Sequence, residues 1–317
     1  RLPFYVTTEG LIYNKDMFRK YGIVDENGEP TPPKTYAQVR EYAKRMTNKD
    51  EHEYGIILPV KWGDFVKVNV VSASQVNCGI SGWDAVNGRF DFSGIKPILQ
   101  MYLDIKNDKS CYPGADSMEN DPARAQFSQG KIGMKFSASF DVGVFNVQFP
   151  AKCDWGVAEL PVADENVKYK QRLSYGGNIV INKKRVDAVG ADKILEVYKW
   201  YHSKEVISQM YKEGVAIPQD TEIIDNTELE NPPKGWKEFA DLVKISAFSL
   251  KDPSPDLEGG RKYTNVIIED VWTEKTSIDA AIEDINQRYN KGLAKKFDGN
   301  PKYNINDYMV KEWNIRR

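Results

Sequence analysis

The chain has 317 residues, 41% of them apolar and 28% charged, with 44 basic side chains against 46 acidic ones and a formal net charge of -2. That length suggests about two domains and a core that hides roughly three-quarters of the unfolded surface. The charge balance argues against nucleic acid, which calls for a surplus of Lys and Arg. The longest uncharged stretch, Val68 to Trp83, is too rich in Asn, Ser and Gln to span a bilayer.

In chain order, Leu2 to Val6 reads as a strand and Gly10 to Tyr13 as a second extended run. Asn14 is placed to cap a helix over Lys15–Tyr21, with Gly22 to stop it. After the stiff connector Pro30, Pro32 and Pro33, Thr35 caps a helix whose apolar face is Tyr36, Val39, Ala43 and Met46. Tyr54–Val60 is expected as a buried strand, Asp64 to about Val76 as a helix, and Asn87-Gly88 as a hairpin turn within Gly79–Phe92. Ile95, Ile98, Leu99, Tyr102 and Ile105 predict an amphipathic helix. Asp121-Pro122 predicts another helix start, and Gly130 ends that helix.

Ile132, Met134 and Phe136 alternate with Lys131, Gly133 and Lys135, the period of a strand with one buried face. Gly156–Leu160 and Ile179–Asn182 read as strands, the latter inside an extended stretch Leu173–Asn182 whose apolar run Ile179–Ile181 suits a parallel sheet covered on both faces. Helices are expected over Asp187–His202, Lys204–Glu213, Trp236–Ala247, Lys262–Trp272 and Ser277–Phe297. The last has a capping-box pattern at Thr276 and Asp279. Short strands alternating with helices predict α/β architecture with largely parallel sheets, and no linker separates two domains, so the chain should cross between them more than once.

Cys78, Cys111 and Cys153, with His52 and His202, match no zinc spacing; they read as buried thiols, with one disulfide left open. Gly130-Lys131 is followed by Ile132, so no phosphate-cradling loop forms there. Gly176-Gly177 lacks the third glycine of a dinucleotide site. A Gly-x-Ser-x-Gly elbow is missing, and Pro301 and Lys302 break a calcium-loop reading of Asp298-Gly299-Asn300. No catalytic residue, metal or cofactor is expected. Seven Trp and 17 Tyr supply surfaces with an apolar face and a polar tip, suited to carbohydrate or peptide contact. A binding protein fits better than an enzyme.

Five segments in order carry a family pattern: Pro3-Phe4-Tyr5 through Gly10–Phe18; Pro32-Pro33-Lys34-Thr35-Tyr36; Phe127–Met134; Trp155–Pro161; and Gly176–Asn182. Together they resemble the maltose/maltodextrin-type solute-binding proteins of ABC sugar importers. The resemblance implies two α/β lobes of the periplasmic-binding-protein type (type II-like), with a hinge and an interlobe cleft. It divides the chain into 1–10 (hinge and remnant of the first lobe), 11–165 (second lobe), 166–222 (return to the first lobe) and 223–317 (second lobe and a C-terminal extension). Family members carry further βα units before the Pro-Phe-Tyr segment, so the first lobe is expected to be incomplete and Ile179–Ile181 to lie open.

The resemblance also implies where a ligand sits: Thr7, Thr8 and Glu9 on the hinge side, then Lys61, Trp62 and Asp64 after a strand. It adds Phe140 where the family has a sugar-stacking Trp, Tyr175, Gly176, Gly177 and Asn178 along the cleft, and Arg261 near a further aromatic position. The implied role is extracytoplasmic capture of a carbohydrate by lobe closure and delivery to an ABC-transporter permease; a lipid anchor upstream is the one membrane contact left open. The alternatives are a carbohydrate-active enzyme and a binding protein for a peptide or an anionic solute, the latter if Lys61 and Arg261 both face the cleft.

Overall fold

The computed structural model describes residues 3–78, 82–167, 170–248, 250, 252–300 and 302–310. Leu2, Gly79–Ser81, the side chain of Cys78 and residues 311–317 of the C-terminal extension, all part of the expectations above, lie outside the described residues. Among the described residues, eight strands run in chain order: β1 (Pro3–Asn14), β2 (Tyr54–Ile57), β3 (Gly82–Asp84), β4 (Arg89–Asp91), β5 (Ile132–Ala138), β6 (Trp155–Ala158), β7 (Gln171–Asn178) and β8 (Ser246–Phe248).

β1 is one strand where two extended runs were expected, and it changes partners half-way along. Residues from Pro3 to Thr8 pair with β7, Glu9 to Tyr13 with β5, and Leu11 to Asn14 also with β6. All three pairings are antiparallel, and among the described strands β2 with β5 and β7 with β8 run parallel. The expectation of largely parallel sheets is therefore corrected: strand–helix alternation sets the direction of neighbouring crossovers, but a long strand threading between them can oppose them all. β3 and β4 form the separate hairpin expected around Asn87-Gly88.

The strand alternation of β1 splits the interior in two. Leu11 joins a core with Phe18, Ile56, Leu99, Tyr102 and Ile285. Its neighbour Ile12 points the other way, into a core with Phe127, Trp155, Tyr211 and Phe239. Local chemistry fixes the helices that cover these faces. Asn14 accepts from the backbone N–H groups of Asp16 and Met17 and starts the helix Lys15–Lys20. Thr35 and Gln38 form a reciprocal capping box at the helix Tyr36–Arg45. The helix expected from Asp64 is continuous from Gly63 to Cys78 but π-helical over Lys67–Ser72.

Several boundaries differ from expectation. The helix expected over Trp236–Ala247 ends at Asp241 and gives way to a 3-10 turn, Leu242–Ile245, and then to β8. The helix expected over Lys262–Trp272 turns π-helical over Ile267–Val271, and the strand expected over Tyr54–Val60 stops at Ile57. The helix Asn120–Ser128 is preceded by Glu119, so Asp121-Pro122 sits within its first turn instead of capping it. Ser277, not Thr276, caps the helix Ile278–Phe297, accepting from Ala280 N–H. The stretch expected as one helix over Asp187–His202 is two, Lys183–Val189 and Ala191–Tyr201, because Gly190 takes a φ of +94° that breaks the helical path. β7 ends at Asn178, so Ile179–Ile181 forms no strand; Asn182 instead caps the helix that follows. Val180 and Ile181 are exposed, as are Leu195, Val197 and Trp200 beyond them. Among the described residues, no helix is long and apolar enough to cross a membrane.

Candidate functional site

β5 was expected to bury one face, yet all seven of its residues are buried. The reason is that Lys135 and Ser137 lie on the face of β5 shared with Ile12 and Ile57, against the second core, and reach the lining of a cavity only where the strand ends. Lys135 Nζ donates to the carbonyl of Phe136 at 3.0 Å and stands 3.6 Å from the carboxylate of Asp141, itself buried just past the strand. Ser137 donates to that carboxylate at 2.5 Å, and Arg124 donates to its other oxygen. Burial pulls the Lys135 ammonium below its ordinary pKa, with Asp141 opposing the shift. Arg124 also lies under the ring of Phe140, 5.4 Å from its centroid, so this half-exposed aromatic is braced from below and open above.

Across the cleft, β1 and β7 present alternate residues to the same side. Thr7 pairs with Ser174, and one step on Glu9 lies beside Arg172. Arg172 Nε donates to Glu9 Oε1 at 3.0 Å, and Arg172 Nη2 donates to Ser174 Oγ at 2.6 Å. Glu9 is only 3% exposed, and burial pushes its carboxyl up to about 7 against the pull of Arg172. Trp62, which packs on the edge of the first core, and Asp64 close the third side with Asn69 from the π-helical turn. The enclosed space is about 130 Å³, roughly ten times what one water needs. A second recess, lined by Asp252, Tyr263 and Tyr289, adjoins the first and shares Arg172 with it.

The structure thus brings Thr7, Glu9, Trp62, Asp64 and Phe140 together around one cavity. It places the other expected site residues elsewhere. Thr8 is buried on the opposite face of β1, its hydroxyl donating to the carbonyl of Phe239 at 2.7 Å. Lys61 is exposed and 3.7 Å from Glu119. Tyr175 projects from the far face of β7 and stacks on Phe248, with ring centroids 4.2 Å apart. Gly176 and Gly177 lie under the Tyr5 ring; a Cβ on Gly176 would stand 1.8 Å from it, so these glycines answer a packing need. Asn178 ends β7 opposite Pro3, and Arg261 is held by Asp270 at 2.8 Å and Glu269 at 3.3 Å.

Sequence reading missed Arg172, Ser174, Asn69, Asn120, Lys135 and Asp141, all of which line the cavity. The period-two spacing of Arg172, Ser174 and Gly176 was a usable signal for the first two. The thiols of Cys111 and Cys153 are free and half-buried, and burial pushes them up to about 12 and about 11.

The family model described as bacterial extracellular solute-binding protein matches residues 2–207, well over half of the chain. The chain belongs to that family. Among relatives of this bacterial extracellular solute-binding protein, the maltotriose-binding protein of Pyrococcus abyssi is 24% identical over 94% of this chain. The sn-glycerol-3-phosphate-binding periplasmic protein of Pectobacterium atrosepticum is 23% identical over 95% of it. The chain spans 60% of the former's length and 67% of the latter's. Among solved structures, the sugar-binding protein MalE of Xanthomonas citri superposes with a TM-score of 0.70 at 20% identity, covering 93% of this chain and 71% of that one. The cyclic alpha-maltosyl-1,6-maltose binding protein of Arthrobacter globiformis superposes at 0.65 and 16% identity, covering 93% and 72%. These likenesses establish the two-lobed α/β fold of such solute-binding proteins.

Proposed function

We propose that the protein captures a carbohydrate outside the cytoplasm and passes it to an ABC-transporter permease, acting as a binding protein and not as an enzyme. The observation that carries this reading is the lining of the cleft. Trp62 and Phe140 offer ring faces, and Glu9, Asn69, Asn120 and Ser174 offer polar atoms between them. A sugar has the same mixture, apolar C–H faces edged by hydroxyls. The second recess beyond Arg172 supports a ligand longer than one ring, and the relatives named for maltotriose and maltosyl sugars support the class.

In this reading 1–10 and 166–222 belong to one lobe and 11–165 and 223–317 to the other, with β1 crossing between them. The exchange of β1 from β7 to β5 at Thr8–Glu9 supports a boundary there. A ligand touching β1 and β7 on one side and Trp62 on the other favours the closed arrangement by its differential affinity. The test is calorimetric titration of the full-length protein with maltotriose, related oligosaccharides and sn-glycerol 3-phosphate, alongside a turnover assay. Binding without turnover is expected, and Trp62→Ala or Phe140→Ala should each weaken it by ~1–3 kcal/mol, as stacked rings do elsewhere. Hydrolysis of the sugar would overturn the reading.

A further inference from the structure

Three carboxylates line the cleft, Glu9, Asp64 and Asp141, against two cations, Lys135 and Arg172. Each cation is engaged within the protein, Arg172 by Glu9 and Ser174 and Lys135 by Phe136 O and Asp141. What remains is a pair of acceptors. Glu9 Oε2 and Asn120 Oδ1 are buried, belong to residues that line the cleft, and have no hydrogen-bond partner among the described residues. A buried acceptor without a donor is costly, and a ligand that brings a donor relieves that cost.

We propose that Glu9 sets the charge of what this cleft accepts: by occupying Arg172 and offering Oε2 as an acceptor, it selects an uncharged, hydroxyl-rich ligand and refuses phosphate esters and carboxylates. The inference rests on the solute-binding reading above and names its substrate class. A phosphate oxygen has nothing to donate to Glu9 Oε2. To reach the Arg172 guanidinium it would have to displace a buried carboxylate and then lie beside it, two like charges in a site removed from water. A hydroxyl donates to the same oxygen and leaves the Glu9–Arg172 pair intact. The upward shift of the Glu9 carboxyl agrees with an anion short of partners. Overall similarity does not make this choice, since the relatives named for maltotriose and for glycerol 3-phosphate stand at 24% and 23% identity. Glu9 does.

Inorganic sulfate is the probe, because it stays a dianion across the range needed. Thermal unfolding of the full-length protein is followed at about pH 8 in ~5 mM sulfate against chloride of matched ionic strength. The wild type should show no shift. Glu9→Gln keeps the side-chain shape, removes the charge and frees Arg172, so it should gain a sulfate-dependent rise of about 2 °C or more. Adding Arg172→Gln should abolish that gain. A wild-type rise lost in Arg172→Gln, or no gain in Glu9→Gln, overturns the proposal.

Should Glu9→Gln fail to fold, the wild type near pH 5 serves instead. The charged groups around Glu9 there are Arg172 on β7, Lys135 on β5, Asp141 beyond it and Asp64 on the helix Gly63–Val66. Protonated Glu9 should then yield Arg172 to sulfate, and a flat response at that pH also overturns the proposal. The sugar titration separates the two claims. A response to both maltotriose and sulfate in the wild type sinks the charge rule alone. A sulfate gain in Glu9→Gln with no response to any sugar upholds the charge rule and sinks the carbohydrate reading.

Discussion

The helices Lys96–Asn107 and Ala191–Tyr201 have similar patterns and opposite fates. Both space apolar residues at helical intervals, yet the first buries Ile98, Leu99, Met101, Tyr102 and Ile105, while the second buries none of its residues. On the second, Trp200 is 57% exposed and Val197 54%, and the nearby Val180 is 64% exposed. An amphipathic period states that a face favours cover. It does not state which part of a protein provides it. Around the first helix the cover is local: the helices Tyr36–Arg45 and Ile278–Phe297 pack on it, with β5 behind.

This contrast can be broken by measurement. The largest effect is expected on the covered helix: Ile105→Ala should cost ~2–5 kcal/mol in urea unfolding, the range for removing a buried Ile side chain. A loss below about 1 kcal/mol would mean that this core is looser than its burial suggests. Next comes the seam between the regions, where Glu9 titrates. Its folded value of about 7 exceeds the ordinary 4.5, so between those values the folded form holds a proton that the unfolded form has released. Stability should therefore fall as pH rises through that window, by up to about 3 kcal/mol, and level off above it. Denaturant titrations at several pH values should show this slope in the wild type and lose it in Glu9→Gln.

Gly176→Ala tests the same seam by shape. The added methyl meets the Tyr5 ring, so a cost of ~1–3 kcal/mol is expected, largely restored by Tyr5→Ala in the same chain. Smallest of all should be Trp200→Ala, within about 0.5 kcal/mol as for other exposed positions. If Trp200→Ala costs as much as Ile105→Ala, the helix Ala191–Tyr201 is covered in solution and the contrast falls.

What sequence reading captured follows from how far each signal reaches. The caps at Asn14 and Thr35 and the apolar stripe of the helix Lys96–Asn107 depend on residues three or four apart, and all were legible. The direction of β1 against β5, β6 and β7 depends on strands more than a hundred residues away, and it was not. The site divides likewise. Glu9, Trp62 and Phe140 came from the family pattern. Arg172 entered only through register, because nothing local sets it beside Glu9. Tyr175 was misplaced by one residue of alternation, which is enough to put a side chain on the other face.

The two ends of β1 also differ in stiffness. From Thr8 onward the strand is pinned, since Thr8 is bonded through its hydroxyl to Phe239 and through its carbonyl to the Ser139 N–H, and both edges of the strand then pair with neighbours. Ahead of Thr8, by contrast, the pairing with β7 slips register twice, between Pro3 and Tyr5 and again between Tyr5 and Val6. Any rotation of β7 relative to β5 would fall on the peptide units at Thr8–Glu9, where β1 changes partner, while the twice-slipped pairing ahead of Val6 lets the free end of the strand yield, like a rod clamped at one end and soft at the other. Amide protons of Leu11 to Tyr13 should exchange slowly and that of Tyr5 quickly, so that a gradient of opening runs along a single strand.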